Sequence, residues 1–130
     1  IQYCISSTSF AVLVNGSPTD FFSASRGLRQ GDPLSPLLFL MVMEVLTRMI
    51  DAASNAGLIS GFSIRRPDSE LGELKVSHLL FADDTIVFCD NDCEQIVNLR
   101  CILIWFQAIS GLRVNLSKSS ILPVGQVDNV

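Results

Sequence analysis

The sequence predicts an α+β fold, an antiparallel sheet with helices packed on one face. Apolar residues recur at helical spacing in two segments, near residues 35–56 and 93–110. Short runs of β-forming residues occur elsewhere in pairs, and each pair is separated by residues typical of turns. Because two strands joined by a tight turn run in opposite directions, we expect the sheet to be antiparallel.

The length and composition are typical of one globular domain. The chain has 130 residues, of which 48% are hydrophobic and 17% are charged. It begins at Ile1 with apolar sequence, and we expect it to be a piece of a longer polypeptide. The longest apolar run, residues 37–43, is well short of the roughly 20 residues that a membrane span requires, so we expect no membrane association.

The cysteines bear on the cellular compartment of the protein, and the charges bear on its ligands. None of the four cysteines belongs to a C-x-x-C pair, which predicts reduced thiols in an intracellular, nuclear or cytoplasmic protein that is not secreted. The net charge of −4 argues against a stand-alone nucleic-acid-binding domain. However, five of the 13 acidic residues lie within residues 83–94, as expected beside a cation.

The amino-terminal part of the chain is predicted to form a hairpin followed by a loop. Residues 10–14 and 19–23 are the two strands, and Asn15-Gly16 between them is the strongest short turn signal. Residues 26–33 contain glycines and arginines without apolar periodicity, so they form a loop.

Capping signals set the bounds of both helices. The first helix is predicted to begin at Ser35-Pro36, with serine as the N-cap, and to end at Gly57. The second is predicted to begin at Asp92, which forms a variant capping box with Gln95, and to end at Gly111.

The remaining strands are predicted from short alternating segments. Residues 59–64 and 73–76 are expected to be strands on either side of a turn. After the second helix, residues 112–116 and 121–122 are predicted to be strands separated by a turn that contains Lys118.

The chemically most informative stretch is H-L-L-F-A-D-D-T-I-V-F, from His78 to Phe88. It predicts a hairpin with Asp83 and Asp84 at its tip, because an apolar run of strand length lies on each side of the two acids. Two adjacent carboxylates repel each other unless a cation neutralises them, and hard oxygen ligands favour Mg²⁺ or Mn²⁺. His78 lies within the apolar strand and is predicted to be structural.

Other interpretations of the acid pair stay open on the residues alone. Aspartate is a common turn residue, and a solvated Asp-Asp turn needs no metal. An aspartyl-phosphate receiver also ends a buried strand in an acid pair, but there a helix should follow. Here Thr85 to Phe88 continues as a strand, which disfavours the receiver.

The loop R-G-L-R-Q-G-D-P, from Arg26 to Pro33, is the second candidate for a binding site. Its glycines permit close backbone approach to a ligand, and its arginines can bind phosphate through two hydrogen bonds. A solvated connector would have the same composition, so both interpretations stay open.

Three blocks in order resemble the palm of reverse transcriptases, most closely those of plant non-long-terminal-repeat (LINE-like) retrotransposons. They are R-G-L-R-Q-G-D-P-L-S-P-L-L-F from Arg26, F-A-D-D from Phe81, and G-L-R-V-N-L-S-K-S from Gly111. The resemblance implies an RNA-directed DNA polymerase that acts on an RNA template, a DNA primer and a dNTP. It also implies that residues 1–130 form a single incomplete palm domain, with the remainder of the same polyprotein as a partner.

The resemblance gives roles to individual residues. Asp83 looks like the ligand of catalytic Mg²⁺ (or Mn²⁺), and Asp84 beside it contributes to the metal site of a two-metal transfer. Gln30 and Gly31, with Arg29 nearby, look like the loop that shapes the pocket for the incoming nucleotide and the template base. Lys118 is similar to the lysine that approaches the triphosphate as a proton donor.

One family feature has no counterpart here. The family has a third carboxylate on a strand upstream of the Gln-Gly loop, whereas Asp20 is the only acid before Arg26 and lies too close to the loop. We therefore expect the first catalytic-Asp segment, most of the fingers and the thumb to lie outside this chain, and the isolated chain to be inactive. The alternatives are a non-catalytic remnant of a decayed element and a Mg²⁺-binding regulatory module.

Overall fold

The computed structural model describes residues 2–23, 30–65 and 73–125. The chain divides into two compact units, Ile1–Leu40 and Met41–Val130. Among the described residues, no helix combines the length and the apolar character needed to cross a membrane.

The first unit contains a short helix and the predicted amino-terminal hairpin. Helix α1 (Gln2–Ser6) precedes four short strands. Strand β1 (Ser9–Phe10) pairs with β4 (Phe22–Ser23), and β2 (Leu13–Val14) pairs with β3 (Ser17–Pro18), both antiparallel. The predicted hairpin is therefore confirmed, although its middle is irregular.

Local interactions account for this hairpin. Asn15 and Gly16 occupy the two turn positions with φ of 50° and 82°, which is the type I′ pattern that Asn-Gly favours. In the irregular middle, the Val12 backbone N–H donates to the Thr19 hydroxyl at 3.0 Å, while the Thr19 N–H donates to the Val12 carbonyl at 2.8 Å. A side chain thus replaces one bond of the strand ladder.

Helix α2 (Leu34–Asn55) begins earlier than the sequence predicted. The Asp32 carboxylate accepts a hydrogen bond from the Leu34 N–H at 2.8 Å, so the side chain of Asp32 caps this end of the helix. The predicted start at Ser35-Pro36, with Ser35 as the N-cap, was wrong. Pro36 has no N–H to donate to the Asp32 carbonyl, and the Ser35 N–H donates to that carbonyl instead at 3.1 Å.

Gly57 ends α2 as predicted. It has a φ of 76°, and its N–H donates to the Ser54 carbonyl while the Leu58 N–H donates to the Ala53 carbonyl. This pair of bonds is a Schellman motif, which satisfies the last carbonyls of the helix.

Two further hairpins follow in the second unit. Strand β5 (Phe62–Arg65) pairs with β6 (Glu73–Val76), and β7 (His78–Phe81) pairs with β8 (Asp84–Val87), both antiparallel. The mixed α+β class is confirmed, with the described strands arranged as four two-stranded antiparallel ladders. A T-shaped contact between Phe62 and Phe88, with ring centroids 4.7 Å apart, links the last two ladders.

Helix α3 (Cys93–Ser110) has the predicted ends but not the predicted capping box. The Asp92 carboxylate accepts from the Glu94 N–H at 3.0 Å, and Gly111 closes the helix with a φ of 74°. Gln95 does not reach back to Asp92. Its Oε1 instead accepts from the N–H groups of Ser60 and Asp90, at 3.0 and 3.2 Å.

The segment after α3 contains no strand within residues 111–125, so the strands predicted there are wrong. Side chains of α3 bind its backbone instead. The Leu112 N–H donates to the Ser110 hydroxyl at 3.1 Å, and the Val114 N–H donates to Gln107 Oε1 at 3.0 Å. The predicted turn at Lys118 is confirmed, because the Lys118 N–H donates to the Asn115 carbonyl.

One side of α2 forms a row of polar contacts with the segment that joins β6 to β7. The row contains Thr47, Asp51 and Ser54 on α2, which lie at i, i+4 and i+7. The Lys75 ammonium donates to the Ser54 carbonyl, the Ser77 hydroxyl donates to Asp51, and the His78 ring bonds to Thr47. Buried apolar residues on α2 line the adjacent face: Met43, Leu46, Ile50 and Ala53.

Replacing Gly61 by alanine is expected to destabilise the second unit more than replacing Gly57. Both glycines have positive φ, 67° and 76°, where a Cβ costs about 1–2 kcal/mol. A Cβ on Gly61 would also lie 2.5 Å from the Val76 carbonyl oxygen, whereas nothing lies within 4 Å of one on Gly57. In urea unfolding we expect losses of about 3 kcal/mol for Gly61→Ala and about 1 kcal/mol for Gly57→Ala. Equal losses would contradict the close approach at Gly61.

Candidate active site

The hairpin β7–β8 places the two acids at its exposed end. Phe81 pairs with Asp84 across the ladder, so the two turn residues are Ala82 and Asp83. Asp83 therefore lies in the turn as predicted, whereas Asp84 is the first residue of β8. Both side chains are exposed.

The backbone at this turn is strained. Ala82 has a φ of 52°, a conformation that favours glycine. Only the first of the two turn residues has a positive φ, which is the pattern of a type II′ turn, where glycine is the usual first residue. Strained residues of this kind cluster at functional sites.

Within the described part of the chain, no cationic side chain forms an ion pair with Asp83 or Asp84. The ion pairs found there join Glu44 to Arg48 and Asp51 to His78, so neither Asp83 nor Asp84 is paired. Two exposed carboxylates with free lone pairs suit Mg²⁺ or Mn²⁺ as part of a ligand set. No group of three or more metal-ligating side chains occurs within the described ranges.

The base of the same hairpin is held firmly. The Phe88 N–H donates to the Ser77 carbonyl at 2.8 Å, which extends the ladder by one bond. Ser77 is 8% exposed and the His78 side chain 11%, and both bond to α2. The acid turn therefore projects from an anchored base. The sequence indicated a structural His78 but gave no sign of its partners on α2.

Two of the other predicted site segments, Lys118 and the Gln30-Gly31 pair, lie in exposed turns. Lys118 lies in an exposed turn of the second unit, and within the described residues its ammonium forms no ion pair. Gln30 and Gly31 lie in an exposed turn of the first unit, where a Cβ on Gly31 would meet nothing within 4 Å. Arg29 lies outside the described residues.

Cys89, just after β8, is not suited to act as a nucleophile. Burial, and then the negative charge of the neighbouring Asp90, raises the pKa of its thiol above the ordinary value. The thiol therefore stays protonated at neutral pH, and the thiolate is the reactive form. Cys93 and Cys101 are free and exposed.

Comparison with protein families decides the relationship that the motifs indicated. The family described as "Reverse transcriptase (RNA-dependent DNA polymerase)" matches residues 1–128. The chain belongs to the reverse transcriptase family. This confirms the predicted relationship to retrotransposon reverse transcriptases and the RNA-directed DNA polymerase family it implies.

Individual relatives of this reverse transcriptase chain support the same conclusion. The Pol polyprotein of the R2 element of Popillia japonica is 33% identical over 104 residues, covering 80% of this chain and 13% of the polyprotein. That of the R2DM element of Drosophila melanogaster is 31% identical over 107 residues, covering 80% and 8%. An uncharacterized mitochondrial protein of Arabidopsis thaliana is 42% identical over 73 residues, covering 56% of each chain.

The reverse transcriptase chain thus spans about half of the Arabidopsis protein and a small part of each polyprotein. No solved structure matches it.

Replacing Ala82 by glycine is expected to stabilise the hairpin. The relieved strain of about 1–2 kcal/mol exceeds the about 0.4–1 kcal/mol that glycine adds to the entropy of the unfolded chain. Urea unfolding should therefore show a gain of roughly 0.5–1 kcal/mol. Ala82→Val should have the opposite effect, because a β-branched side chain tolerates positive φ poorly. A loss of stability in Ala82→Gly would contradict the strained turn.

Proposed function

We propose that this chain is part of the palm of a retrotransposon RNA-directed DNA polymerase. The reaction joins a dNTP to a primer: the primer 3′-hydroxyl oxygen bonds to the α-phosphorus, and the bond to pyrophosphate breaks. The observation that supports this most directly is the exposed Asp83-Asp84 pair in a chain of the reverse transcriptase family. Within the described residues, no cationic side chain neutralises these two acids.

Asp83 and Asp84 are proposed to hold divalent metal. Their carboxylates are hard oxygen donors on adjacent residues, they are exposed, and the anchored hairpin base fixes the strands that carry them. When bound, Mg²⁺ or Mn²⁺ would activate the primer hydroxyl and stabilise the charge on the leaving pyrophosphate. Asp83 is the principal ligand in this proposal, and Asp84 adds negative charge and a second carboxylate.

Gln30 and Gly31 are proposed to shape the pocket for the incoming nucleotide and the paired template base. Both are exposed, and the space around Gly31 is open, so a base or sugar can approach the backbone closely. Arg29, the preceding residue, would bind phosphate through its guanidinium group.

Lys118 is proposed to donate a proton to the leaving pyrophosphate. Its turn is held by two bonds to the Asn115 carbonyl, from the Lys118 N–H at 3.1 Å and the Ser119 hydroxyl at 2.9 Å. The ammonium is exposed and free of ion pairs with the described acids, so it is available to a phosphate. A proton given to pyrophosphate makes it a better leaving group.

The isolated chain is proposed to lack polymerase activity. Two carboxylates are fewer than the family's three, and Asp20, the upstream acid, lies beside β4 in the first unit. In this proposal, residues 1–130 form one incomplete palm domain whose remaining ligand comes from upstream sequence. Template RNA, primer DNA and dNTP are its substrates, in the nucleus or cytoplasm.

The remainder of the same polyprotein is the proposed structural partner. The R2 relatives are polyproteins of which the matching segment is a small part. Helix α3 buries Phe106, which is 4% exposed, yet it also exposes apolar residues, among them Trp105 at 65%. Exposed apolar residues grouped on one element commonly mark a surface that packs against another protein segment.

Asp83→Asn is expected to abolish primer extension by a polyprotein that carries this chain. The change removes a negatively charged metal ligand while keeping the side-chain size, and the loss should reach several powers of ten. The measurement is single-nucleotide extension of a DNA primer on an RNA template with Mg²⁺. Asp20→Asn is the matched control and should extend normally, because Asp20 is an exposed acid outside the β7–β8 hairpin. Normal extension by Asp83→Asn would refute the proposed function.

Lys118→Ala is expected to slow nucleotide transfer by about 10²–10⁴-fold, the range for loss of a general acid. Lys118→Arg separates proton donation from charge, because a guanidinium keeps the positive charge but does not release its proton. Rapid-quench measurement of single-turnover rates should find both variants slow. An arginine variant with the wild-type rate would rule out proton donation by Lys118.

A further inference from the structure

His78 lies at the base of the β7–β8 hairpin (the acid hairpin, which carries Asp83 and Asp84 at its tip), where it joins β7 to α2. It is the first residue of β7 and pairs with Val87 across the ladder. Its ring Nδ1 is 2.9 Å from the Ser77 hydroxyl, and its Nε2 is 3.3 Å from the Thr47 hydroxyl. A histidine whose ring is mostly covered and has a partner for each nitrogen is held in one orientation.

His78 and the three side chains around it can bond in one consistent direction. The Ser77 hydroxyl donates to Asp51 Oδ1 at 3.4 Å. The tautomer that satisfies every partner carries its proton on Nδ1, which then donates to the Ser77 hydroxyl. Nε2 then accepts from the Thr47 hydroxyl. Asp51 also lies 3.8 Å from Nδ1. The chain of bonds starts on α2 at Thr47 and returns to α2 at Asp51, so it fixes the hairpin base at two points one helical turn apart.

The hairpin has few other constraints beyond this base. Leu79, Phe81 and Ile86 are more than half exposed, so one face of the two strands has little packing within the described chain. The direction in which the acid turn projects therefore depends on its anchored end. An apolar residue at position 78 could fill the same space, but it would leave the Ser77 and Thr47 hydroxyls without their ring partner.

We infer that His78 is a positioning residue, which orients the Asp83-Asp84 turn for metal binding through its bonds to Thr47 and Ser77. The inference rests on the proposed function of the acid pair. Groups hydrogen-bonded directly to metal ligands typically contribute 10–100-fold to metal affinity or activity, and His78, which acts from the other end of the hairpin, is expected at the lower end of that range. A role in stability alone would lower the melting temperature and the active fraction, but would not change the metal requirement of the molecules that remain active.

The test measures the Mg²⁺ concentration at half-maximal primer extension in a polyprotein that carries this chain, with the active fraction determined by titration. We expect His78→Leu to raise that concentration by on the order of tenfold, because both ring bonds are lost. His78→Gln can still reach Thr47 with its amide and should stay within about threefold of wild type. Thr47→Val should shift the requirement in the wild type but add nothing to His78→Leu.

Arg48→Gln is the matched control on α2. Arg48 is next to Thr47, and its exposed guanidinium pairs with Glu44 at 2.9 Å. Losing that surface pair should leave the Mg²⁺ requirement unchanged. If His78→Leu does not fold, Thr47→Val decides: a raised requirement supports the inference, and an unchanged one overturns it.

The outcomes separate this inference from the proposed function. Normal extension by Asp83→Asn would remove the proposed function and with it the basis of the inference. An inactive Asp83→Asn variant, together with unchanged Mg²⁺ requirements in His78→Leu and Thr47→Val, would overturn the role of His78 alone.

Discussion

The row of polar contacts between α2 and the β6–β7 segment is the constraint on which the second unit depends. Lys75, Ser77 and His78 meet α2 at three positions spaced by one helical turn or less. Apolar packing tolerates small shifts, but a buried hydroxyl or ring nitrogen that loses its partner costs about 1–3 kcal/mol. The polar row therefore fixes the position of β6 and β7 along α2. That position determines where the Asp83-Asp84 turn lies.

The two ends of the acid hairpin differ in stability: the base has favourable contacts, and the tip has unfavourable ones. At the base, buried polar groups are satisfied and Phe88 packs edge-on against Phe62. At the tip, Ala82 is strained and two like charges are adjacent and exposed. Proteins keep such unfavourable features mainly where function requires them, and the stability comes from elsewhere. A well-fixed base allows the tip to stay strained.

The sequence predicted those features that depend on neighbouring residues. Asn15-Gly16, Gly57 and Gly111 each specify a backbone conformation locally, so the first hairpin and the carboxyl-terminal ends of α2 and α3 were predictable. The partners of Gln95 and His78 were not, because Ser60 and Thr47 lie 35 and 31 residues away along the chain. The roles of Asp83, Asp84, Lys118, Arg29, Gln30 and Gly31 stay predictions.

The positions of the two acids bear on the choice between a turn former and a metal ligand. Aspartate is favoured in turns, which accounts for Asp83 without any cation. Asp84 is the first residue of β8, opposite Phe81, and aspartate is depleted in strands. Within the described residues its carboxylate accepts no hydrogen bond and forms no ion pair. The turn accounts for only one of the two acids, whereas the proposed metal site would account for both.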